Sequence, residues 1–217
     1  PQHGEDASNT QYVALAYSAA RRLDINIPSD SCRKMAAWFV KWQQSKGPAV
    51  ESFPVPAADH SMKELEKIEK ELREQIARSA EQAEEEDKDG KWKDEMTTTA
   101  VEEAREKLFG KEKHKMYARG WCYMPEDPQN DEWRKLVTGA MTTSGVISLT
   151  VAKAFIDGRG SSSFNRAIDK AIRDGCAWLA HYFRVSGNPC FNPFNGEVGR
   201  TKHHYYFLYG LERAGMI

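Results

Sequence analysis

The segment MTTSGVISLTVAKAFI, residues 141–156, decides how the rest of the chain is interpreted. It opens with polar residues that can cap a helix, continues through an apolar stretch of about three turns, and has a basic residue near its end. Two other segments share this pattern, SNTQYVALAYSAARRLDI at 8–25 and KHHYYFLYGLERAGMI at 202–217. Because self-similarity along a chain indicates a repeat architecture, the three segments predict three equivalent helices.

A second helix is predicted after each of the first two segments. One contains AAWFVKW, residues 36–42, after the cap residues Ser29 and Asp30, and the other contains CAWLAHYF, residues 176–183, after the serines at 161–163. The latter is amphipathic, with an apolar stripe of Phe164, Ile168, Ile172, Leu179 and Phe183. The repeated helices are richer in small residues and apolar on most sides, which predicts an inner layer of crowded helices and an outer layer exposed on one face.

A charged insertion separates the two helix pairs. Its first part, ESFPVPAADH at 51–60, predicts a linker broken by prolines. Residues 62–86 predict a very charged helix, DKDGK at 87–91 breaks it, and a second charged helix is predicted over 97–108. The first of these helices has a thin apolar seam of Leu65, Ile68, Leu72 and Ile76. A solvated helical hairpin with coiled-coil character is the simplest interpretation, and a mobile arm is the alternative.

Composition excludes some classes of function. The chain has 31 basic and 32 acidic residues, a net charge of −1, so no broad electric field would attract nucleic acid or anionic lipid. No apolar run approaches the roughly 18 residues that a membrane span needs, and no segment has the order of a signal peptide. We therefore expect a soluble chain without nucleic-acid partners, and its compartment stays open.

The four cysteines do not form a metal or redox motif. They are widely separated and include no CxxC pair, which argues against a zinc ribbon or a thioredoxin-type site. Two disulfides would form in an exported protein, whereas buried free thiols are the alternative. The cysteines are Cys32, Cys122, Cys176 and Cys190.

Four segments together resemble the prenyltransferase and squalene-oxidase repeat proteins of bacteria, which are relatives of terpene cyclases. They are DASNTQYVALAYSAARRL, MTTSGVISLTVAKAF, AWLAHYF and HHYYFLYGLERAGMI. The resemblance covers roughly two thirds of the chain and leaves out the charged insertion. It implies an all-α fold, a partial α/α toroid, in which inner helices surround a cavity and outer helices pack around them.

The resemblance also implies how the chain is divided. Residues 1–46 would form the first toroid hairpin, residues 47–119 the linker and charged insertion, and residues 120–217 the second hairpin and the first helix of a third. A closed toroid needs more hairpins than these. The chain is therefore expected to be an arc, completed by further hairpins of a full-length protein or by an oligomer.

The chemistry of the resembled families depends on groups that can be sought one by one. Squalene-hopene-type cyclases protonate an alkene with a DxDD cluster, which this sequence lacks. Protein prenyltransferases hold zinc with Asp, Cys and His, and the DGC triplet at 174–176 with His203 supplies Asp174, Cys176 and His203 as candidate ligands. The alternative for Cys176 is a small buried core residue, because it aligns with Ala36 in the internal repeat.

These observations favour a binding module over an enzyme. The leading hypothesis is a non-catalytic toroid domain without a cofactor that binds an apolar small molecule or a protein partner on its concave face. The alternative is an isoprenoid enzyme, either similar to terpene cyclases or dependent on zinc. Fold-level resemblance does not decide between them.

The candidate ligand-binding residues lie at the starts of the repeated helices and in the GWCY segment at 120–123, where the resemblance implies a cavity mouth. Capping, hydrogen bonds between hairpins and loop anchoring are the structural alternatives for them. The candidates are Asn9, Gln11, Trp121, Tyr123, Thr143, His203, His204, Tyr205 and Tyr206.

Overall fold

The computed structural model describes residues 6–86, 102–103, 106–107, 114–126, 131–156 and 160–216. The chain divides into two compact units, Pro1–Ser52 with Lys115–Ile217 and, separately, Phe53–His114. It is mostly helical, which agrees with the all-α class predicted from the sequence. Two small antiparallel sheets, which the all-α prediction omitted, lie in the first unit.

The bounds of the elements are as follows within the described residues. The helices are α1 (Ala7–Arg22), α2 (Ser29–Trp42), α3 (Pro56–Asp59), α4 (Met62–Glu86), α5 (Glu132–Lys135), α6 (Gly139–Ile156), α7 (Ser162–Tyr182) and α8 (His204–Met216). The strands are β1 (Ala49–Val50), β2 (Met116–Tyr117), β3 (Val137–Thr138), β4 (Asn188–Phe191) and β5 (Val198–Thr201).

Helix α6 is the centre of the first unit. Every residue of it except Ala154 and Phe155 is buried, and it contacts α1, α2, α7 and α8. Two of its buried hydroxyl groups bond within the helix, since Thr143 and Ser144 donate to the carbonyl of Ala140 at 2.8 Å and 2.9 Å. It is also the one helix in the described part of the chain that is long and apolar enough to cross a membrane, but 89% of it is buried inside the protein. Such burial is typical of a core helix, so this helix is weak evidence for a membrane span.

Helices α1 and α6 run parallel. Early in both helices, the Ser144 hydroxyl donates to the amide oxygen of Gln11. Later in both, the rings of Tyr17 and Phe155 meet edge to face with centroids 6.3 Å apart. Because contacts advance in the same direction along the two helices, their amino-terminal ends lie at the same end of the unit.

Helix α8 runs parallel to α6 on another side of it. A Cβ on Gly139 would lie 2.7 Å from the Phe207 ring, and one turn further a Cβ on Gly210 would lie 2.3 Å from the Thr143 hydroxyl. The two glycines therefore allow a close approach between these helices. Three helices, α1, α6 and α8, thus have their starts at one end of the unit.

Helix α7 runs back along α6 in the opposite direction. Lys153, late in α6, forms an ion pair of 2.7 Å with Asp169, early in α7. Further along α7, a Cβ on Gly175 would lie 2.9 Å from Val146, which is early in α6. Helix α2 packs against both α6 and α7. This arrangement buries the apolar stripe of α7 predicted from the sequence, except that Phe164 is half-buried and Phe183, just past the helix end, is exposed.

Helix α1 differs from the crowded inner helix that the sequence predicted. It fully buries only Ala7, Gln11 and Ala14, which face α6. The opposite side of the helix is exposed to solvent, so the crowding expected of all three repeated helices is found in α6 and not in α1. On that side Tyr12 contacts the ring of Tyr206 from α8, and the helix is otherwise open to solvent along much of its length.

A three-stranded sheet in the order β3-β4-β5 lies beside the start of α6. Asn188, in β4, is buried; its side-chain oxygen accepts from the backbone N–H of Ala140 at 2.9 Å, and its side-chain nitrogen donates to Thr201 at 2.9 Å. This residue therefore fixes the β4-β5 hairpin to the first turn of α6. The second sheet is the short antiparallel pair of β1 and β2.

The second unit contains the charged helix predicted at 62–86. Ser61 and Glu64 form a reciprocal cap at its start, since each accepts from the other's backbone N–H. Four residues of the predicted second helix, 102–103 and 106–107, are helical, and Lys107 binds Glu71 of α4 at 2.9 Å. The rest of that predicted helix and the predicted break at 87–91 lie outside the described residues. The predicted linker contains the short helix α3.

Two disulfides and free thiols were the alternatives for the four cysteines. In the structure all four are free thiols. Burial raises the pKa of the Cys122 thiol to about 11, and burial also raises that of Cys190. Both thiols are therefore protonated and unreactive near neutral pH.

Candidate functional site

The side-chain amide of Gln11 lies where the three parallel helices meet. Gln11 is fully buried in α1, and its oxygen accepts hydrogen bonds from Ser144 of α6 at 2.5 Å and from the phenol of Tyr206 of α8 at 2.6 Å. Its amide nitrogen is buried and has no hydrogen-bond partner among the described residues. A buried donor left unpaired costs about 1–3 kcal/mol, so this position carries a cost that the two accepted bonds offset.

Tyr206 is a hydrogen-bond donor at ordinary pH. Burial raises its pKa to about 12; the hydrogen bond with Ser144 lowers it in part, and the nearby Tyr12 and Asp6 raise it further. The phenol therefore keeps its proton near neutral pH and can hold the Gln11 oxygen.

Aromatic side chains lie near this buried amide, beside Tyr206. The Tyr12 ring, 54% exposed, lies 6.4 Å from the ring of Tyr206. Tyr123 stacks on Trp133 with centroids 6.1 Å apart, and Trp133 is 59% exposed. The carbonyl of Tyr123 accepts from the first N–H of α1, at Ala7, which ties this pair to the same helix start. We call Asp6, Gln11, Tyr12, Tyr123, Trp133, Ser144 and Tyr206 the Tyr206 cluster.

Four of the residues predicted from the sequence come together here. Gln11, Tyr123 and Tyr206 belong to the Tyr206 cluster, and Thr143 lies against Gly210 beside it. The hydrogen bond between Tyr206 and Gln11 joins α8 to α1, whereas that of Thr143 lies within α6. These residues therefore make structural contacts and also lie beside an exposed aromatic surface.

The other candidates at the helix starts are not members of this cluster, although Asn9 bonds to Asp6. Asn9 is exposed and donates to the carboxylate of Asp6, which caps α1. His203 is exposed at a backbone φ of 69°, and Tyr205 is 86% exposed. The Nδ1 atom of His204 is buried without a hydrogen-bond partner among the described residues.

The sequence predicted Trp121 in the lining of a cavity mouth, but in the structure it is a core residue. Its side chain is 1% exposed, and its indole N–H donates to the carbonyl of Phe39 at 2.7 Å. Cβ atoms on Gly145 and Gly175 would lie 2.5 Å and 2.7 Å from the indole, so both glycines make room for it. The alternative of a loop anchor fits this geometry.

Asp174, one of the three candidate zinc ligands, is engaged by cations. It is fully buried; one carboxylate oxygen accepts from Arg119 at 2.7 Å and from Lys170 at 2.6 Å, and the other accepts from the N–H of Tyr117 at 2.9 Å. Among the described residues, which include Asp174, Cys176 and His203, no group of three or more His, Cys, Asp or Glu side chains is placed to hold a metal ion. The three candidate ligands are therefore not brought together.

Four members of the Tyr206 cluster are absent from the candidates predicted from the sequence, namely Ser144, Asp6, Tyr12 and Trp133. Asp6 has the sequence signal of a helix cap, an acidic residue just before an apolar helical pattern, and could have been found from it. Tyr12 directly follows Gln11 but points to solvent, and Trp133 reaches the site only through its stacking on Tyr123. Neither of these last two contacts has a local sequence signal.

Searches of family models, curated proteins and solved structures found no match to this chain.

Proposed function

We propose that this chain is an arc of an α/α toroid and serves as a non-catalytic binding module, holding an apolar or aromatic ligand at the Tyr206 cluster. The single observation that carries the proposal is the exposed aromatic surface over a buried amide at the common end of three parallel helices.

The order of the helices supports the toroid part of the proposal. Successive inner helices of such a fold are parallel and adjacent, and an outer helix has to run back between them. Here α1, α6 and α8 are parallel, and α7 returns along α6 between two of them. Because α6 is buried around nearly its whole circumference, the ligand contacts in this proposal come from the helix starts and not from a wall of α6.

The chemistry of the cluster supports binding without catalysis. A tyrosine whose pKa is raised to about 12 transfers protons poorly near neutral pH, since efficient general acids and bases have pKa values close to the working pH. Exposed tyrosine and tryptophan rings instead supply large apolar contact area with a polar edge. No arrangement of the described residues favours the isoprenoid-enzyme alternative.

Binding of the neutral fluorescent probe N-phenyl-1-naphthylamine to the whole chain tests the site. We expect saturable binding at one site that weakens about tenfold or more in Tyr12→Ala and in Trp133→Ala, which corresponds to about 1.4 kcal/mol. Phe194→Ala is the matched control, because Phe194 is 62% exposed on the β4-β5 hairpin and lies outside the Tyr206 cluster.

Two results would overturn the proposal. Equal weakening in Phe194→Ala would mean that the probe binds any exposed ring, and unchanged binding in both cluster variants would place its site elsewhere. Stoichiometric zinc in the purified protein, lost on Cys176→Ala, would instead favour the zinc-dependent alternative. All three substituted aromatic side chains are exposed or partly exposed, so the variants are expected to fold.

A further inference from the structure

The turn between β4 and β5 presents an Asn-Gly pair to solvent. Residues 193–198 are all exposed, and Asn195 and Gly196 lie in the middle of this stretch. Gly196 has a backbone φ of 79°, and a Cβ at its position would meet nothing within 4 Å. Because glycine has no Cβ and its surroundings are open, little steric bulk limits access to the peptide nitrogen of Gly196.

The other asparagines have neighbours that hinder or prevent such access. Of the seven asparagines in the sequence, only Asn195 precedes a glycine. Asn188 and Asn192, in the same hairpin, precede Pro189 and Pro193, whose ring nitrogens carry no hydrogen. The hairpin thus contains one asparagine followed by an unhindered N–H group and two asparagines followed by none.

The side-chain amide of Asn195 is held at both ends by Glu197. The backbone N–H of Glu197 donates to the amide oxygen at 3.0 Å, and the amide nitrogen donates to the Glu197 carboxylate at 3.0 Å. A donor on a carbonyl oxygen stabilises the negative charge that develops there when a nucleophile adds to the carbonyl carbon. The first contact therefore favours attack on this amide, and the second places a carboxylate beside its nitrogen.

We propose that Asn195 is a site of spontaneous deamidation, in which the peptide nitrogen of Gly196 attacks the side-chain carbonyl carbon of Asn195. That nitrogen gives up its proton to solvent and forms a bond to Cγ. The bond from Cγ to the amide nitrogen breaks, and ammonia leaves with a proton taken from solvent. Water then opens the resulting cyclic imide, at Cγ to give aspartate or at the main-chain carbonyl carbon to give isoaspartate. The net reaction consumes one water and releases one ammonia.

One hydrogen bond of the turn opposes this reaction. The N–H of Gly196 donates to the carbonyl of Asn192 at 2.9 Å, and this bond has to open before the nitrogen can attack. It lies at the exposed end of a hairpin, where local opening needs little free energy compared with unfolding of the core. We therefore expect deamidation to be slower in the folded chain than in the unfolded chain, and still measurable.

Deamidation changes the contact with Glu197 from attraction to repulsion. The amide of Asn195 donates to that carboxylate, whereas the product carboxylate has no donor and places a second negative charge there. Isoaspartate also adds one carbon to the main chain of the turn. The product should therefore loosen the end of the hairpin at the turn, while Asn188 still fixes the other end to α6. Asn195 lies outside the Tyr206 cluster, so this proposal does not depend on ligand binding there.

Peptide mapping of the whole folded chain by mass spectrometry, during long incubation near neutral pH, tests the site. Asn195 should convert to both aspartate and isoaspartate at least about tenfold faster than Asn188 or Asn192, which corresponds to a barrier lower by about 1.4 kcal/mol. The rate should rise with pH, because the Gly196 nitrogen has to lose its proton. Asn188 and Asn192 are the matched controls within the same hairpin.

Two results of this experiment would overturn the proposal. Equal conversion at Asn192 would mean that the following glycine has no part in the reaction. Conversion of Asn195 in urea but none in the folded chain would mean that the bond from Gly196 to Asn192 protects the turn completely.

The variant Asn195→Asp tests the consequence for the hairpin, because it reproduces one of the two products. Its melting temperature should fall by about 2–4 °C, the shift that the loss of one hydrogen bond gives in a chain of this length. Adding Glu197→Gln should restore most of the loss, since the new amide can donate to the carboxylate at 195. A melting temperature of Asn195→Asp equal to that of the wild type, or no recovery in the double variant, would overturn the proposed loosening.

Discussion

Helices α1 and α6 carry the same sequence pattern and have different surroundings. Helix α6 is buried except at Ala154 and Phe155, whereas α1 fully buries only Ala7, Gln11 and Ala14. The difference lies in their neighbours, because α6 contacts four helices and α1 packs mainly on α6. A pattern of small and apolar residues therefore allows a helix to be packed on all sides. Its position among the other helices determines how much of it is buried.

The largest expected contrast between the two helices comes from removing an apolar side chain. Ile147→Ala, at a fully buried position in α6, should lower the free energy of unfolding by about 2–5 kcal/mol, because it removes buried methyl groups and leaves a cavity. Leu23→Ala, at the exposed end of α1, should change it by no more than about 0.5 kcal/mol. Urea denaturation of both variants measures this, and equal losses would mean that α1 is as enclosed as α6.

A smaller contrast, with a change of sign, comes from adding one methyl group to a helical glycine. Gly145→Ala should destabilise the protein by about 1–3 kcal/mol, because its Cβ would lie 2.5 Å from the Trp121 ring. Gly215→Ala, where a Cβ meets nothing within 4 Å, should stabilise it by up to about 1 kcal/mol, since alanine favours a helix more than glycine. Thermal unfolding should show melting temperatures that shift in opposite directions. A stable Gly145→Ala would show that Trp121 can move aside.

The smallest effect concerns the hydrogen bond that joins α8 to α1. Tyr206→Phe removes the donor to the Gln11 oxygen and should cost about 0.5–1.5 kcal/mol near neutral pH. The ordinary pKa of tyrosine is 10.0, and in the folded protein that of Tyr206 is raised to about 12. The unfolded chain therefore loses this proton at a lower pH than the folded protein does.

It follows that the stabilisation from Tyr206 is complete below about pH 10 and is lost as the pH rises through about 12. The difference in unfolding free energy between the wild type and Tyr206→Phe should shrink over this range. Absorbance titration at alkaline pH should also show one fewer late-ionising tyrosine in the variant, while Tyr182, whose pKa burial also raises, is present in both proteins. A difference that is constant over this range would mean that the pKa of Tyr206 is unshifted.

The positions of the main helices could be predicted from the sequence because their signals are local. Capping residues, such as Ser161 before α7, and apolar periodicity lie within a few residues of each helix end. The β4-β5 hairpin could not be predicted in this way. Its strands are four residues each, NPCF and VGRT, without clear alternation, and they are held by Asn188 through a bond to Ala140, 48 positions away.

The candidate site could be predicted only in part, for a related reason. Gln11, Thr143 and Tyr206 were found because they recur at the starts of matching helices, and those starts meet in the fold. The burial of Trp121 depends on Gly145 and Gly175, which come from two helices later in the chain. A contact that requires three segments distant in sequence produces no recognisable sequence pattern within any single segment.

The β1-β2 pair makes the second unit easy to exchange. Ala49 pairs with Tyr117 and Val50 with Met116, so the chain leaves and re-enters the first unit at two adjacent points. Partner residues of an antiparallel pair lie about 5 Å apart, a distance that a short turn can bridge. Residues 53–114 could therefore be replaced by such a turn while the contacts of α6 with its four neighbours are kept. Length changes at such a graft point alter the loop-closure entropy only slowly.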